Sequence, residues 1–176
     1  MPPAAIKNAY DRVVQQADVQ AKWAVDDALL GLKADAISGW TIAKHLEHIG
    51  LVNRGIIAVR LEDGLKPETP QLGGPSLFGR LVLLTQWIPR GRGQAPDTTV
   101  PHGATPAAAR ESLAVARSAL DALQPRLDAV ATARGRTPHP RLGMFSPSEW
   151  LRFVWIHNHH HEKIIREILT RCGKAK

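Results

Sequence analysis

Apolar residues recur at intervals of three and four positions over most of the chain, a spacing typical of helices that bury one face. The first such stretch predicts a helix from about Ala4 to Leu32. The second predicts a helix with Ser38 as its N-cap, which continues to about Asp63, where Gly64 is a natural stop. No segment shows the alternation typical of a strand, and the pattern therefore predicts an all-α protein.

Further helices follow in the second half of the chain. Residues 76–88 predict a short and strongly apolar helix, which Pro89 ends. Thr105 and Pro106 suit the N-cap and first position of a helix whose leucines recur every seven residues and which Pro125 should kink. The loops between the helices are rich in Gly and Pro and cover three segments: Lys66 to Pro75, Arg90 to Ala104 and Gly135 to Met144.

The last helix begins at a strong start signal. Ser146, Pro147 and Glu149 combine an N-cap, a first-position proline and a capping box, and the helix should run to Arg171, with Gly173 as its stop. Four long amphipathic helices and one short helix predict a four-helix bundle with long loops at one end. A length of 176 residues suits one domain, residues 1–176, with a single core.

The composition excludes some classes of protein and of metal site. The N-terminus lacks the plan of a signal peptide and no uncharged apolar run has transmembrane length, so we expect a cytoplasmic protein without a membrane segment. The single cysteine, Cys172, excludes an internal disulfide and a cysteine-based zinc site. Any metal ion would therefore be held by histidine and carboxylate side chains.

The net charge of +7 is concentrated in the second half of the chain. Such a bias can attract nucleic acid, membrane phosphates or an anionic small-molecule substrate, and the plainer interpretation is a solvated basic surface. Basic runs interleaved with aromatic residues are missing from the sequence, so nucleic-acid binding ranks last. Several arginines in the predicted loops could steer an anion toward a mouth of the bundle: Arg90, Arg92, Arg134, Arg136 and Arg141.

Half of the eight histidines lie in the five residues from His157 to His161. At about 100° per residue, His157 and His161 fall within the apolar stripe of the last helix, whereas His159 faces water and His160 lies at the edge. Two imidazoles on a buried face need polar partners, because a buried unpaired polar group costs about 1 to 3 kcal/mol. A metal ion would satisfy both at once.

A catalytic metal site normally needs a third protein ligand. The second helix offers His45 and His48, and periodicity slightly favours His45 as the inward residue without choosing the ligand. Three neutral imidazoles would leave a zinc, nickel, iron or manganese ion with an open position for water or substrate. His139, and with it His102, could reach that position as an acid or base, the alternative being a residue of a turn. His160 is a further catalytic candidate that could line the pocket, the alternative being a boundary position with no role.

Two spacings resemble those of the DinB-like superfamily. One is a tryptophan eight residues before a histidine, as in Trp40 and His48. The other is a histidine followed, after three residues, by a second histidine that is often doubled, which here is His157 and the pair His160-His161. The lead-in from His139 to Trp150 is also similar to one subgroup, and the resemblance spans essentially the whole chain in helix order.

The resemblance implies a four-helix bundle with one divalent ion held by His48, His157 and His161, and it assigns His45 to the core. It also implies a homodimer and a metal-dependent hydrolase, or a transferase that uses a low-molecular-weight thiol, acting on a small molecule. A glutamine often follows the last histidine by three residues in this family, whereas this chain has Ile164. A non-catalytic metal-binding or structural bundle is the alternative, so enzymatic activity stays open.

Overall fold

The computed structural model describes residues 2–91 and 95–174. The protein is an all-α bundle with one small hairpin. Its helices are α1 (Pro3–Ala24), α2 (Asp27–Leu30), α3 (Ile42–Gly55), α4 (Glu62–Leu65), α5 (Leu77–Thr85), α6 (Pro106–Leu123), α7 (Leu127–Thr132) and α8 (Pro147–Arg171). A π-helical segment (Ile56–Leu61) joins α3 to α4, and 3-10 turns occupy Asp97–Thr99 and Gln124–Arg126. None of the described helices is long and apolar enough to cross a membrane.

The four long helices, α1, α3, α6 and α8, enclose two apolar clusters that lie at opposite ends of α8. Buried apolar residues of α8 up to Ile156 belong to the first cluster, and those from Ile164 onward belong to the second. The α8 residues between them are mostly polar, including His157, Asn158 and His161. The core is therefore divided by a polar layer, which we call the polar belt.

The first predicted helix is interrupted. α1 ends at Ala24, and the short helix α2 follows it. The side chain of Asp26 accepts hydrogen bonds from the backbone N–H groups of Ala28 and Leu29, so it acts as the N-cap of a new helix. The apolar pattern continues across this break, which is why spacing alone predicted one helix to Leu32.

The second predicted helix begins three residues later than expected. Its N-cap is Thr41, whose hydroxyl accepts a hydrogen bond from the N–H of Lys44, and not Ser38. Gly64 does not stop the helix, because it lies within α4. A Cβ atom on Gly64 would lie 2.9 Å from Cγ of Pro147, so this glycine permits the start of α8 to pack closely.

The remaining start signals are confirmed. Thr105 caps α6, and Ser146 with Glu149 forms the capping box of α8. A 3-10 turn around Pro125 separates α6 from α7, where a kink was predicted. α5 ends at Thr85, earlier than expected, and it leaves a row of apolar side chains largely exposed: Leu77, Phe78, Leu81 and Leu84.

The loop before α8 contains two strands that the apolar pattern did not predict. β1 (Thr137–His139) pairs antiparallel with β2 (Gly143–Phe145), with Thr137 opposite Phe145. Three residues are too few to show alternation, so the sequence gives no periodic signal for them. Gly143 has a positive φ of 87°, and its position leaves no room for a side chain beside Gly74 and Ser76.

Candidate metal centre

Three histidines from two facing helices meet in the polar belt. α3 contributes His48, and α8 contributes His157 and His161. The three residues are only 5% to 9% exposed. One ring nitrogen of each lies within 4.8 Å of the corresponding nitrogens of the other two. No other group of potential ligands within the described ranges reaches this spacing. Three buried histidines in this arrangement could bind a metal ion.

The helical periodicity of α8 accounts for the inward pair. His157 and His161 are one turn apart and both are buried, as the spacing predicted. His159 is exposed and stacks on Trp155 at 5.3 Å, and His160 is half-buried. The five-residue cluster is therefore divided between the core and the surface in the way its position on the helix requires.

The hydrogen bonds of His48 fix which nitrogen carries its proton. Nδ1 lies 2.7 Å from the carbonyl oxygen of Thr99, and a carbonyl only accepts, so Nδ1–H is the donor. In the neutral ring Nε2 then carries the lone pair and, without a metal ion, accepts a hydrogen bond from Nε2 of His157 at 3.2 Å. Two nitrogens bound to one tetrahedral zinc ion lie about 3.4 Å apart, so this pair is already spaced for an ion.

Burial keeps these imidazoles neutral. It lowers the pKa of His48, and it places the pKa of His157 and His161 well below the ordinary value of 6.5, because the charged ring loses its hydration. The neutral ring is also the form that binds metal ions. The three histidines are therefore in their binding form at neutral pH.

A buried carboxylate holds the loop that contacts His48. Oε1 of Glu47 accepts hydrogen bonds from the N–H groups of His102 and Gly103, at 3.1 Å and 3.2 Å. Oε2 accepts one from the N–H of Ala104 at 2.7 Å. Thr99 belongs to the same loop. The hydrogen bonds of Glu47 and His48 therefore hold residues 99–104 against α3.

His45 contacts His161 but lies outside the convergent group of three histidines. Its Nδ1 is 3.0 Å from Nδ1 of His161, and its Nε2 is 3.0 Å from the hydroxyl of Ser38. Burial lowers the pKa of His45 to about 3. His45 is thus as inward as periodicity suggested, but it does not belong to the group whose nitrogens converge.

Two half-buried rings border the histidine group. The ring of Trp40 lies 5.2 Å from that of His48 and 6.4 Å from that of His161. The ring of His160 lies 5.0 Å from that of His161 and hydrogen-bonds with the backbone of Ile88. Burial, followed by the charge of Arg90, lowers the pKa of His160 to about 4, so His160 is neutral at pH 7.

His139 lies in the hairpin, where its contacts are structural. Its Nδ1 accepts hydrogen bonds from the backbone N–H groups of Arg141 and Leu142, at 3.1 Å and 3.2 Å. Its ring stacks on Trp150 at 5.4 Å and contacts Phe153 edge-on. His102, the other weak candidate, is exposed, and its backbone is what binds Glu47. The structure places neither ring in the group formed by the three buried histidines.

The loop arginines are dispersed. Arg90 makes a two-pronged ion pair with Glu167 at 2.7 Å and 2.8 Å. Arg134 and Arg136 line a cavity of about 820 Å³ near the start of α8, away from the three histidines. Arg141 is exposed on the hairpin turn, and Arg92 lies outside the described residues.

Several polar residues of the polar belt were not singled out by the sequence analysis. Gln20 on α1 donates a hydrogen bond of 2.9 Å to Glu162, and burial raises the pKa of Glu162 to about 7. Asn158 is fully buried, and neither its side-chain oxygen nor its nitrogen has a hydrogen-bond partner among the described residues. Gln16 and Gln20, one turn apart on the buried face of α1, are the sequence signal that could have revealed the polar belt.

One comparison with known proteins, that with protein families, agrees with this architecture. No curated protein and no solved structure matches the chain. A family model described as the DinB superfamily matches residues 6–165. The matched region runs from α1 into α8 and includes His48, His157 and His161. Since the match covers most of its length, the chain belongs to the DinB superfamily.

Proposed function

We propose that this protein is a metal-dependent enzyme that binds one divalent ion through His48, His157 and His161 and acts on a small molecule. The observation that carries the proposal is the convergence of three buried, neutral imidazoles from two facing helices. Membership of the DinB superfamily supports it.

The number of ligands favours a catalytic ion over a structural one. Structural zinc sites are closed by four protein ligands, whereas catalytic sites keep one position open. The part of the chain that the structure describes supplies three ligands within reach of one another. A zinc, nickel, iron or manganese ion held there would lower the pKa of a water molecule or thiol and so supply a nucleophile near neutral pH.

Two reactions suit such a nucleophile. One is hydrolysis, and the other is the transfer of a low-molecular-weight thiol to an electrophilic small molecule. Trp40 and His160 border the histidine group and are half-buried, so we expect them to contact the substrate. The net charge of +7 favours an anionic substrate.

Elemental analysis of protein purified without a histidine tag tests the metal site. We expect about one divalent ion per chain in the wild-type protein, and loss of that ion in His157→Ala, because two remaining ligands hold an ion weakly. His159→Ala is the matched control, since His159 belongs to the same helix but is exposed. Full metal content in His157→Ala would refute the site.

Activity assays then separate the possible functions. Metal-loaded protein is incubated with electrophiles and a low-molecular-weight thiol, and separately with ester and amide substrates. Turnover that disappears in His157→Ala supports the enzyme. Stoichiometric metal without turnover in either assay would favour the non-catalytic metal-binding bundle.

A further inference from the structure

A chain of hydrogen bonds leads away from His161 toward the start of α3. Nδ1 of His161 lies 3.0 Å from Nδ1 of His45, and Nε2 of His45 lies 3.0 Å from Oγ of Ser38. Ser38 Oγ also accepts a hydrogen bond of 3.1 Å from the N–H of Trp40. Both ring nitrogens of His45 are therefore engaged, and its side chain is only 2% exposed.

The two facing Nδ1 atoms allow two opposite proton arrangements along this chain. In a hydrogen bond between them, one nitrogen carries the proton and the other accepts it. His161 can offer Nε2 to an ion only if its own Nδ1 carries the proton. His45 must then accept at Nδ1, carry its proton at Nε2 and donate that proton to Ser38 Oγ.

The reverse order would disable the ligand. If Ser38 donated to Nε2 of His45, then Nδ1–H of His45 would donate to His161. His161 would carry its proton at Nε2 and would have no lone pair there for an ion. The direction of the hydrogen-bond chain therefore decides whether His161 can bind a metal.

We propose that His45 is a positioning residue, which with Ser38 holds His161 in the Nδ1–H form and presents its Nε2 to the ion. The proposal rests on the proposed function for its metal, but its proton arrangement is a property of the metal-free protein. Partners of this kind, which contact the far nitrogen of a ligating histidine, fix its ring and typically contribute 10-fold to 100-fold in metal affinity.

The first test is the tautomer of His161, measured by nitrogen NMR of metal-free protein. We expect His161 to carry its proton at Nδ1 in the wild type and to lose that preference in His45→Phe, which has no acceptor. His45→Gln should keep the preference, because its side-chain oxygen can accept the same hydrogen bond. A proton on Nε2 of His161 in the wild type would overturn the proposal.

The second test is zinc affinity, measured by competition with a chelating dye. We expect His45→Phe to bind one zinc ion about 10-fold to 100-fold more weakly than the wild type, and His45→Gln to recover most of that loss. His159→Gln, an exposed histidine of α8, should bind as the wild type does. Unchanged affinity in His45→Phe would overturn the proposal, and complete loss of zinc would make His45 a ligand instead.

The two tests also separate this proposal from the metal site itself. If the wild-type protein bound no metal, the proposed function would fail, whereas the tautomer measurement would still decide the role of His45. If His45→Phe did not fold, as judged by circular dichroism, Ser38→Ala would replace it. Ser38→Ala should weaken the Nδ1–H preference of His161, and an unchanged preference there would count against the chain of hydrogen bonds.

Discussion

At the scale of single residues, the buried carboxylate of Glu47 holds a loop beside the histidines. Its two oxygens accept three backbone hydrogen bonds from the loop of residues 102–104. A buried carboxylate without such donors would be costly, and the loop amides would be unpaired without the carboxylate. Glu47 and the loop therefore depend on each other for their positions.

Glu47→Gln should lower the free energy of unfolding by about 2 to 4 kcal/mol, because the amide loses the charge and turns an NH₂ group toward backbone donors. Urea unfolding measures the loss. The amides of His102, Gly103 and Ala104 should also exchange with solvent faster in the variant. Glu111→Gln, a change on the exposed surface, is the control. Equal stability of the two variants would show that the loop is held by other contacts.

His139 should make stability depend on pH. Burial, followed by the charge of Arg60, lowers its pKa from 6.5 to about 4. Between these values the unfolded chain binds a proton that the folded chain excludes, so the free energy of unfolding falls as the pH decreases from about 6.5 to about 4. The contribution of neutral His139 to stability is therefore greatest above this window.

Unfolding of metal-free protein across that pH range tests this prediction. His139→Asn should show a shallower decrease than the wild type, because its side-chain oxygen can accept the same backbone hydrogen bonds without titrating. Other buried histidines also contribute to the wild-type slope, so the difference between the two proteins is the quantity that matters. Parallel slopes would contradict the assignment.

Single-residue features differ in how far the sequence predicts them. The buried positions of His157 and His161 follow from their spacing on one helix. The roles of His45 and His48 do not, because both are buried and the difference lies in their partners. Those partners, Ser38 and Thr99, come from segments outside the helix, and periodicity carries no information about them.

At the scale of elements, α3 and α6 pack closely against each other at Gly50. Gly50 faces Ser112, and a Cβ atom on Gly50 would lie 2.5 Å from the backbone carbon of Ser112. Backbone atoms cannot move aside as a flexible side chain can. The absence of a side chain at Gly50 therefore sets the distance between these helices.

Gly50→Ala should destabilise the protein by about 1 to 3 kcal/mol, the usual cost of overpacking, because α3 and α6 must move apart. Gly55 provides a matched control five residues further along: it has a helical φ of −60°, and a Cβ there would meet none of the described atoms within 4 Å. Gly55→Ala should leave the free energy of unfolding unchanged or raise it by up to about 1 kcal/mol. Thermal melts of both variants test the contrast, and equal melting temperatures would refute it.

Elements are predicted well where the signal is local. The caps at Thr105 and Ser146 are short motifs whose hydrogen bonds form within one turn, and both are present. The π-helical segment after α3 is different, since it depends on how its buried Ile56, Ile57 and Leu61 meet the rest of the core. The break after α1 likewise depends on a single capping side chain within a continuous apolar pattern.

At the scale of the whole molecule, two apolar clusters surround a polar belt that contains the candidate metal centre. The clusters do not include the three histidines, so the fold has its own source of stability. The exposed apolar side chains of α5 lie outside both clusters. The homodimer that the family resemblance implies stays a prediction, which sedimentation equilibrium would check.

Removal of the metal ion should lower the melting temperature while leaving a folded protein with a cooperative transition. An ion at 100 times its dissociation constant adds about 2.7 kcal/mol to stability, which the protein loses on chelation. Calorimetry with and without a chelator measures the change, and His157→Ala should show no change. Complete unfolding on chelation, as in a zinc finger, would indicate a structural ion.

The wide separation of the ligands along the chain determines when, during folding, a metal ion can be bound tightly. His157 and His161 come together as soon as α8 forms, but His48 is 109 residues from His157 and joins them only when α3 has packed on α8. An ion that arrives early in folding therefore finds two ligands, and tight capture is among the last events. Release runs in the opposite direction, so the lifetime of the bound ion should follow the rate at which α3 separates locally from α8.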